Sequence, residues 1–168
     1  MPITVVPHPV SLGWSDFAAA RALANGEDAH IDPGYEVENR PIRKVGSHWM
    51  LAETLELRVH PRARVLRSAS QTDELLAHEQ GHYDIGILAA RALARDLATI
   101  GAATPAALKH ALDAAFDLHT RTRLGPIQQA YDHDTNHSRN TQEQQRWARL
   151  IAAGLASAAT TAINNLTL

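Results

Sequence analysis

Cysteine is absent from the 168 residues. That removes disulfides, thiolate zinc sites and cysteine nucleophiles, so any metal must rest on His, Asp or Glu. An excess of charge is absent too: Lys and Arg number 16 against 18 Asp and Glu, a formal net charge of -2. This balance argues against a nucleic-acid binder held by phosphate neutralisation. Neither a glycine-rich phosphate loop nor a GxSxG elbow occurs, and no internal repeat is found. Met1 to Phe17 lacks a basic segment leading into an apolar one, and Pro2, Pro7 and Pro9 interrupt it, so no secretion signal is expected there. Nothing after Arg149 is charged through to Leu168. Ser157, Thr160, Thr161, Asn164 and Asn165 make that stretch too polar for a membrane span, and it is expected to be a helix packed on the protein itself or on a partner.

What is present is an ordinary globular composition, 45% hydrophobic and 20% charged. It is enough for one α+β domain over 1–168, strand-rich over 1–67 and helical over 70–168. Asn25-Gly26, Pro33-Gly34 and Val45-Gly46 are turn signals in the first part. The clearest strand is Leu51 to His60, where Leu55, Leu57 and Val59 alternate with Thr54, Glu56, Arg58 and His60; Pro61 is expected to stop it. Arg62, Arg64 and Arg67 then read as a solvated basic run, and Trp14 and Trp49 as core.

From Ser70 the period becomes helical. Ser70 with Asp73 predicts a capped start for a helix to about Ile100, stopped by Gly101. Thr104-Pro105 opens a second helix running towards Gly125-Pro126. A polar stretch, Tyr131 to Ser138, is followed by a last helix from Thr141 to about Ile163, with Thr141 and Gln144 as its capping pair.

The chemistry lies in His78-Glu79-Gln80-Gly81-His82, an HExxH pattern inside the first of these helices. Residues four apart share a helix face, so His78 and His82 can aim their rings at one zinc ion. Glu79 lies beside that point, where it can take a proton from a zinc-bound water. A catalytic zinc needs a third protein ligand. Candidates cluster in Asp132, His133, Asp134 and His137, with His119 an outsider. Asp84, on another face, is expected to pair or cap rather than to bind metal.

His78-Glu79-Gln80-Gly81-His82-Tyr83-Asp84-Ile85, followed by Tyr131-Asp132-x-x-Thr135-x-His137, resembles a bacterial family of unknown function regarded as secreted zinc-dependent proteases. Its motifs read HEQxHxDI and YDxxTxH. Trp14-Ser15-Asp16-Phe17 is similar to that family's WxDF signature. The resemblance runs from Trp14 to about Trp147; Ser138 stands where the family has glycine, and the family's usual export signal is not seen. It implies a zincin-like metallopeptidase domain in which an N-terminal sheet supports the HExxH helix and C-terminal helices bring the third ligand. That ligand would be His137, with Asp132 as the alternative or as a residue orienting a metal-bound His. Tyr131 is then either an oxyanion donor or a packing aromatic.

The expectation is thus a bacterial zinc metalloprotease, a hydrolase acting on a peptide or protein substrate, with Glu79 as general base. Other divalent ions can enter such a site in vitro. The strand Leu51 to His60, if at a sheet edge, could align the substrate. No nucleic-acid or membrane partner is expected, and the C-terminal helix could join copies or partners. The alternatives are a non-hydrolytic zinc-binding module and a helical interaction protein. Compartment is left open.

Overall fold

A computed structural model describes residues 3–23, 27–37, 41–52 and 55–168. The Asn25-Gly26 turn, Pro2 and Thr54 lie outside them. The chain is a mixed α+β structure whose main sheet is organised by one long strand. Strand β6, Leu55–Leu66, carries β1 (Ile3–Pro7) and then β2 (Phe17–Ala20) in parallel pairing, and β3 (Ala29–Val37) in antiparallel pairing. Leu55, Leu57, Val59, Ala63 and Val65 are buried on one face, the alternation the sequence carries.

The structure corrects two expectations about this strand. It continues past Pro61, and it is central rather than an edge. Pro61 lies directly opposite Pro33 in the β3 ladder, so two residues without an N–H face each other and neither needs a donor from the other. On the other flank it falls between the last β1 partner, Val59, and the first β2 partner, Ala63. Pro33-Gly34 is accordingly strand, not turn, and Arg62 and Arg64 lie within β6 as exposed residues, Arg62 pairing with Asp32 at 2.6 Å. Leu51 belongs instead to a small second sheet of β4 (Ile42–Val45), β5 (His48–Leu51) and β7 (Gly101–Ala102). The Val45-Gly46 turn stands, with Gly46 at φ 60°.

Helix α1, Asp73–Leu97, crosses the sheet and separates two apolar clusters. Its cap is Thr72, whose hydroxyl accepts from Leu75 N, rather than Ser70; Gly101 lies in β7 and is not its stop. Towards the sheet it packs Tyr83, Ile87, Ala90, Leu93 and Ala94 with Leu57, Val59 and Val65. On its other side Ile85, Leu88, Ala89 and Ala92 meet the C-terminal helices.

Helix α2, Pro105–Asp117, starts on the expected Thr104 cap. It does not end near Gly125-Pro126. A π-helical turn at Leu118–Arg123 passes into α3, Leu124–Thr135. Pro126 is tolerated there because it falls in the first turn of α3. The stretch expected to be a polar connection is therefore mostly helix, and Tyr131, Asp132 and Thr135 project from it with helical spacing. The chain leaves α3 through three consecutive positive-φ residues, Asn136, His137 and Ser138.

Helix α4, Thr141–Ala156, is capped by Asn140, which accepts from Glu143 N, rather than by Thr141. It ends seven residues before the expected Ile163 because Ala162–Ile163 (β8) and Leu166–Thr167 (β9) form a hairpin. Asn164 and Asn165 at its tip both have positive φ, as a tight two-residue hairpin turn needs. The uncharged tail folds back on the protein. Arg91 donates to Leu155 O, Arg95 to Ala158 O and Thr160 O, and Arg123 to Leu168 O. Among the described residues no helix is long and apolar enough to cross a membrane.

Candidate metal centre

Two helices converge on one point. His78 and His82, four residues apart on α1, direct their Nε2 atoms to within 3.2 Å of each other. From α3, Asp132 Oδ1 lies 3.1 Å from His78 Nε2 and 2.9 Å from His82 Nε2. Tetrahedral donors at zinc bond lengths are separated by about 3.3 Å, so the three atoms stand close to the spacing that ion requires. His78, Glu79 and His82 are all buried.

The far sides of both rings are held by glutamines. Gln128 donates its amide N–H to His82 O at 3.0 Å, which turns its Oε1 to His82 Nδ1 at 2.5 Å. Tyr131 donates its hydroxyl to His78 O at 3.2 Å and accepts from Gln144 Nε2, which turns Gln144 Oε1 to His78 Nδ1 at 3.1 Å. An amide oxygen can only accept, so each Nδ1 must carry the proton. In the neutral rings both Nε2 atoms are then bare lone pairs. They face each other and a carboxylate oxygen, an arrangement that repels unless a proton or a metal ion lies among them.

Electrostatics divide the two rings. Burial lowers the pKa of His78 despite its bond to Asp132, which favours the neutral ring, whereas for His82 the Asp132 and Glu79 carboxylates outweigh burial and raise the pKa, which favours a protonated ring in the metal-free chain. Burial alone would raise Asp132, but the histidines beside it hold it well below the usual carboxylate range. Glu79 is different. Burial pushes its pKa up to about 7, and its Oε2 has no hydrogen-bond partner.

Tyr131 is fully buried and stacks on His78 at 4.8 Å, meeting His82 edge-on at 4.8 Å and Trp147 at 5.3 Å. Its hydroxyl donates to the His78 carbonyl and it does not line the cleft, the position of a packing and orienting residue. Gly81 is matched to it, because a Cβ there would overlap the tyrosine hydroxyl. Thr135 donates to Tyr131 O at 2.6 Å and lies 3.4 Å from His78 Nδ1. The YDxxTxH motif thus supplies a donor at Asp132 and two supports for His78.

His137 stands at the rim. Its Nδ1 is 3.4 Å from Asp132 Oδ1, its side chain is 48% exposed, and it is outside the His78, His82 and Asp132 group, whose donor atoms all lie within 4.8 Å of one another. His133 is exposed. Asp134 accepts from Trp147 Nε1 and Arg146, which ties α3 to α4. His119 is buried against Asp96 at 2.7 Å, away from the cluster. Asp84 accepts from Gln80, whose Oε1 in turn accepts from Leu12 N. Asp16 of the WxDF segment accepts from Gly13 N as the chain enters β2, while Trp14 and Trp49 are partly buried against the core. Sequence reasoning missed Gln128, and it read Gln144 only as a cap. Once α3 is continuous, Gln128 lies four residues before Asp132 and shares its face.

The cluster opens into a cleft of about 380 Å³ between α1, α3 and the stretch 27–33. Residues 60–138 match the model of a family described as "Bacterial protein of unknown function (DUF922)". No curated protein and no solved structure matches the chain.

Proposed function

We propose that the protein is a zincin-like, zinc-dependent hydrolase of peptide bonds. The observation that carries this reading is the set of three lone-pair donors, His78 Nε2, His82 Nε2 and Asp132 Oδ1, fixed at metal-ligand spacing by outward hydrogen bonds. In this reading Asp132 takes the third position, which the resemblance had assigned to His137. When bound, zinc supplies Lewis acidity towards a carbonyl and a water acidic enough to ionise near neutrality.

The remaining work belongs to the chain. Glu79, buried in the cleft wall with one oxygen free and a pKa near neutrality, can accept a proton and return it to a leaving amine. His137, at the rim beside Asp132, is placed to donate to a substrate oxygen. Strand β3, which pairs with β6 alone among the described strands, borders the cleft with Ala29 to Pro33. Its free edge can hold an extended peptide by strand addition, the task the sequence reading gave to β6. Glu79 also weighs against a purely structural metal site, which has no use for an unpartnered buried carboxylate.

The test is elemental analysis of untagged wild type, Asp132→Ala and His137→Ala, followed by cleavage of a peptide library. One zinc per chain, lost in Asp132→Ala and kept in His137→Ala, with cleavage abolished by Glu79→Gln, supports the reading. Zinc lost only in His137→Ala restores His137 as the third ligand. Stoichiometric zinc without cleavage points to a non-hydrolytic zinc module, and no metal at all overturns the site.

A further inference from the structure

Glu27 and Glu79 line one cleft, and neither is paired with a lysine or an arginine. Glu27 lies in the wall formed by the stretch 27–33, with only 15% of its side chain exposed. Its partner is His30, whose Nδ1 donates to Glu27 Oε2 at 3.0 Å and which is charged only when protonated. Glu79 lines the same cleft from α1, buried, with Oε2 unpartnered. The two carboxylates sense each other: burial chiefly raises the pKa of Glu79, His82 opposes the rise, and the Asp132 and Glu27 charges add to it. Buried negative charge is costly unless a cation answers it. The other acids of the cleft are differently placed. Asp132 faces the two histidines, Asp32 is held by Arg62 at 2.6 Å, and Asp28 is exposed. Of the two arginines that line the cleft, Arg121 is held by Asp117 at 2.8 Å and Arg139 comes after the end of α3.

We infer that Glu27 is the cation-recognition residue of this cleft: its carboxylate receives an ammonium or guanidinium group of the peptide substrate, close to the bond cleaved. The inference rests on the hydrolase reading and gives its substrate a charge. A second metal ion is a poorer occupant. Among the described residues the group at metal-ligand spacing is His78, His82 and Asp132, and Glu27 is not part of it. An organic cation needs only one carboxylate within hydrogen-bond reach. Its place near the bond cleaved follows from Glu79, which acts there in the hydrolase reading and which the Glu27 charge reaches. Asp28, exposed beside Glu27, adds attraction at longer range. A free α-amine and a lysine or arginine side chain present the same chemistry, and the substrates of the test tell them apart.

The experiment uses zinc-loaded wild type, Glu27→Gln and Glu27→Lys. A glutamine at position 27 can still accept from His30, so Glu27→Gln should keep the wild-type Tm and zinc content. Matched peptides are compared: acetylated with a lysine, neutral with a free α-amine, and acetylated without any cation. In wild type one of the two cationic kinds should exceed the third about tenfold in kcat/KM, falling to about twofold or less in Glu27→Gln, the scale of one charge-assisted hydrogen bond. In Glu27→Lys the order should reverse. The kind that shows the effect names the cation. Binding of N-acetyl-lysine amide, norleucine amide and N-acetyl-norleucine amide is measured in parallel by calorimetry. No cationic preference in wild type, or one that survives in Glu27→Gln, overturns the assignment while leaving the hydrolase intact. Absence of cleavage by zinc-loaded wild type overturns the hydrolase reading, and the amides then decide the cation site alone. Tighter binding of a cationic amide that is lost in Glu27→Gln sustains it, and equal binding of all three overturns it.

Discussion

Gly81 and the Tyr131 hydroxyl occupy adjoining space: α1 can approach α3 closely enough for the tyrosine to lie against both His78 and His82 only because position 81 has no side chain. Gly81→Ala should therefore displace Tyr131 and, through it, His78. The expected cost is about 1–3 kcal/mol in a urea melt, the range for overpacking a core. Zinc affinity should fall in the same variant, read by competition with a chelator. A variant with wild-type stability and affinity would show that the helices can separate freely.

The glutamines should matter for metal binding more than for folding. Replacing Gln128 or Gln144 with Leu removes the acceptor that holds His82 or His78 in the tautomer with a bare Nε2. Zinc affinity is expected to fall about 10- to 100-fold in each, the usual effect of losing such a support. Gln144→Leu also removes the donor to Tyr131. Titration with a competing chelator measures both.

Metal-free protein should lose stability as pH rises, and Glu79 is the cause. Its folded pKa of about 7 lies above the ordinary 4.5, because burial disfavours the carboxylate. Between those values the folded chain holds a proton that the unfolded chain releases, so stability falls with rising pH and the penalty is complete above about 7. Glu79→Gln has no such proton. The apo variant should exceed apo wild type by up to about 3 kcal/mol at pH 8, and the gap should close below pH 4.5. Denaturant melts with chelator present decide it; a pH-independent gap would mean Glu79 is not buried as ionised carboxylate.

Gly86 sits where α1 meets the sheet, and a Cβ there would overlap the ring of Pro33. Gly86→Ala should lower stability by about 1–3 kcal/mol, visible as a lower Tm. Because Pro33 also lines the cleft, peptide cleavage should weaken with it. An unchanged Tm would show that the proline ring moves aside at little cost.

Much of the candidate metal site was legible because it is local. HExxH needs only helical phase, and the phase was clear from Leu75 to Leu93. The Thr104 cap and the alternation of Leu55, Leu57 and Val59 are likewise near-neighbour patterns. Pro61 misled because its tolerance depends on Pro33, a partner 28 residues earlier in sequence but adjacent in register. Gly125-Pro126 misled for a related reason: both residues weaken a helix, yet a first-turn position and a preceding π turn remove the conflict. Reading that segment as a loop hid the shared face of Gln128 and Asp132. Tyr131 could not be placed from sequence, because its role depends on the side chain Gly81 lacks.

His82 and Asp132 are 50 positions apart and meet at a single oxygen. An ion joining them would make a reversible tether, closing a loop that a disulfide of equal span would stabilise by about 4 kcal/mol through chain entropy. In a chain with no cysteine, the ion of the proposed hydrolase and the cross-link would then be one object, so chelation would remove the proposed activity and relax α1 from α3 in the same step.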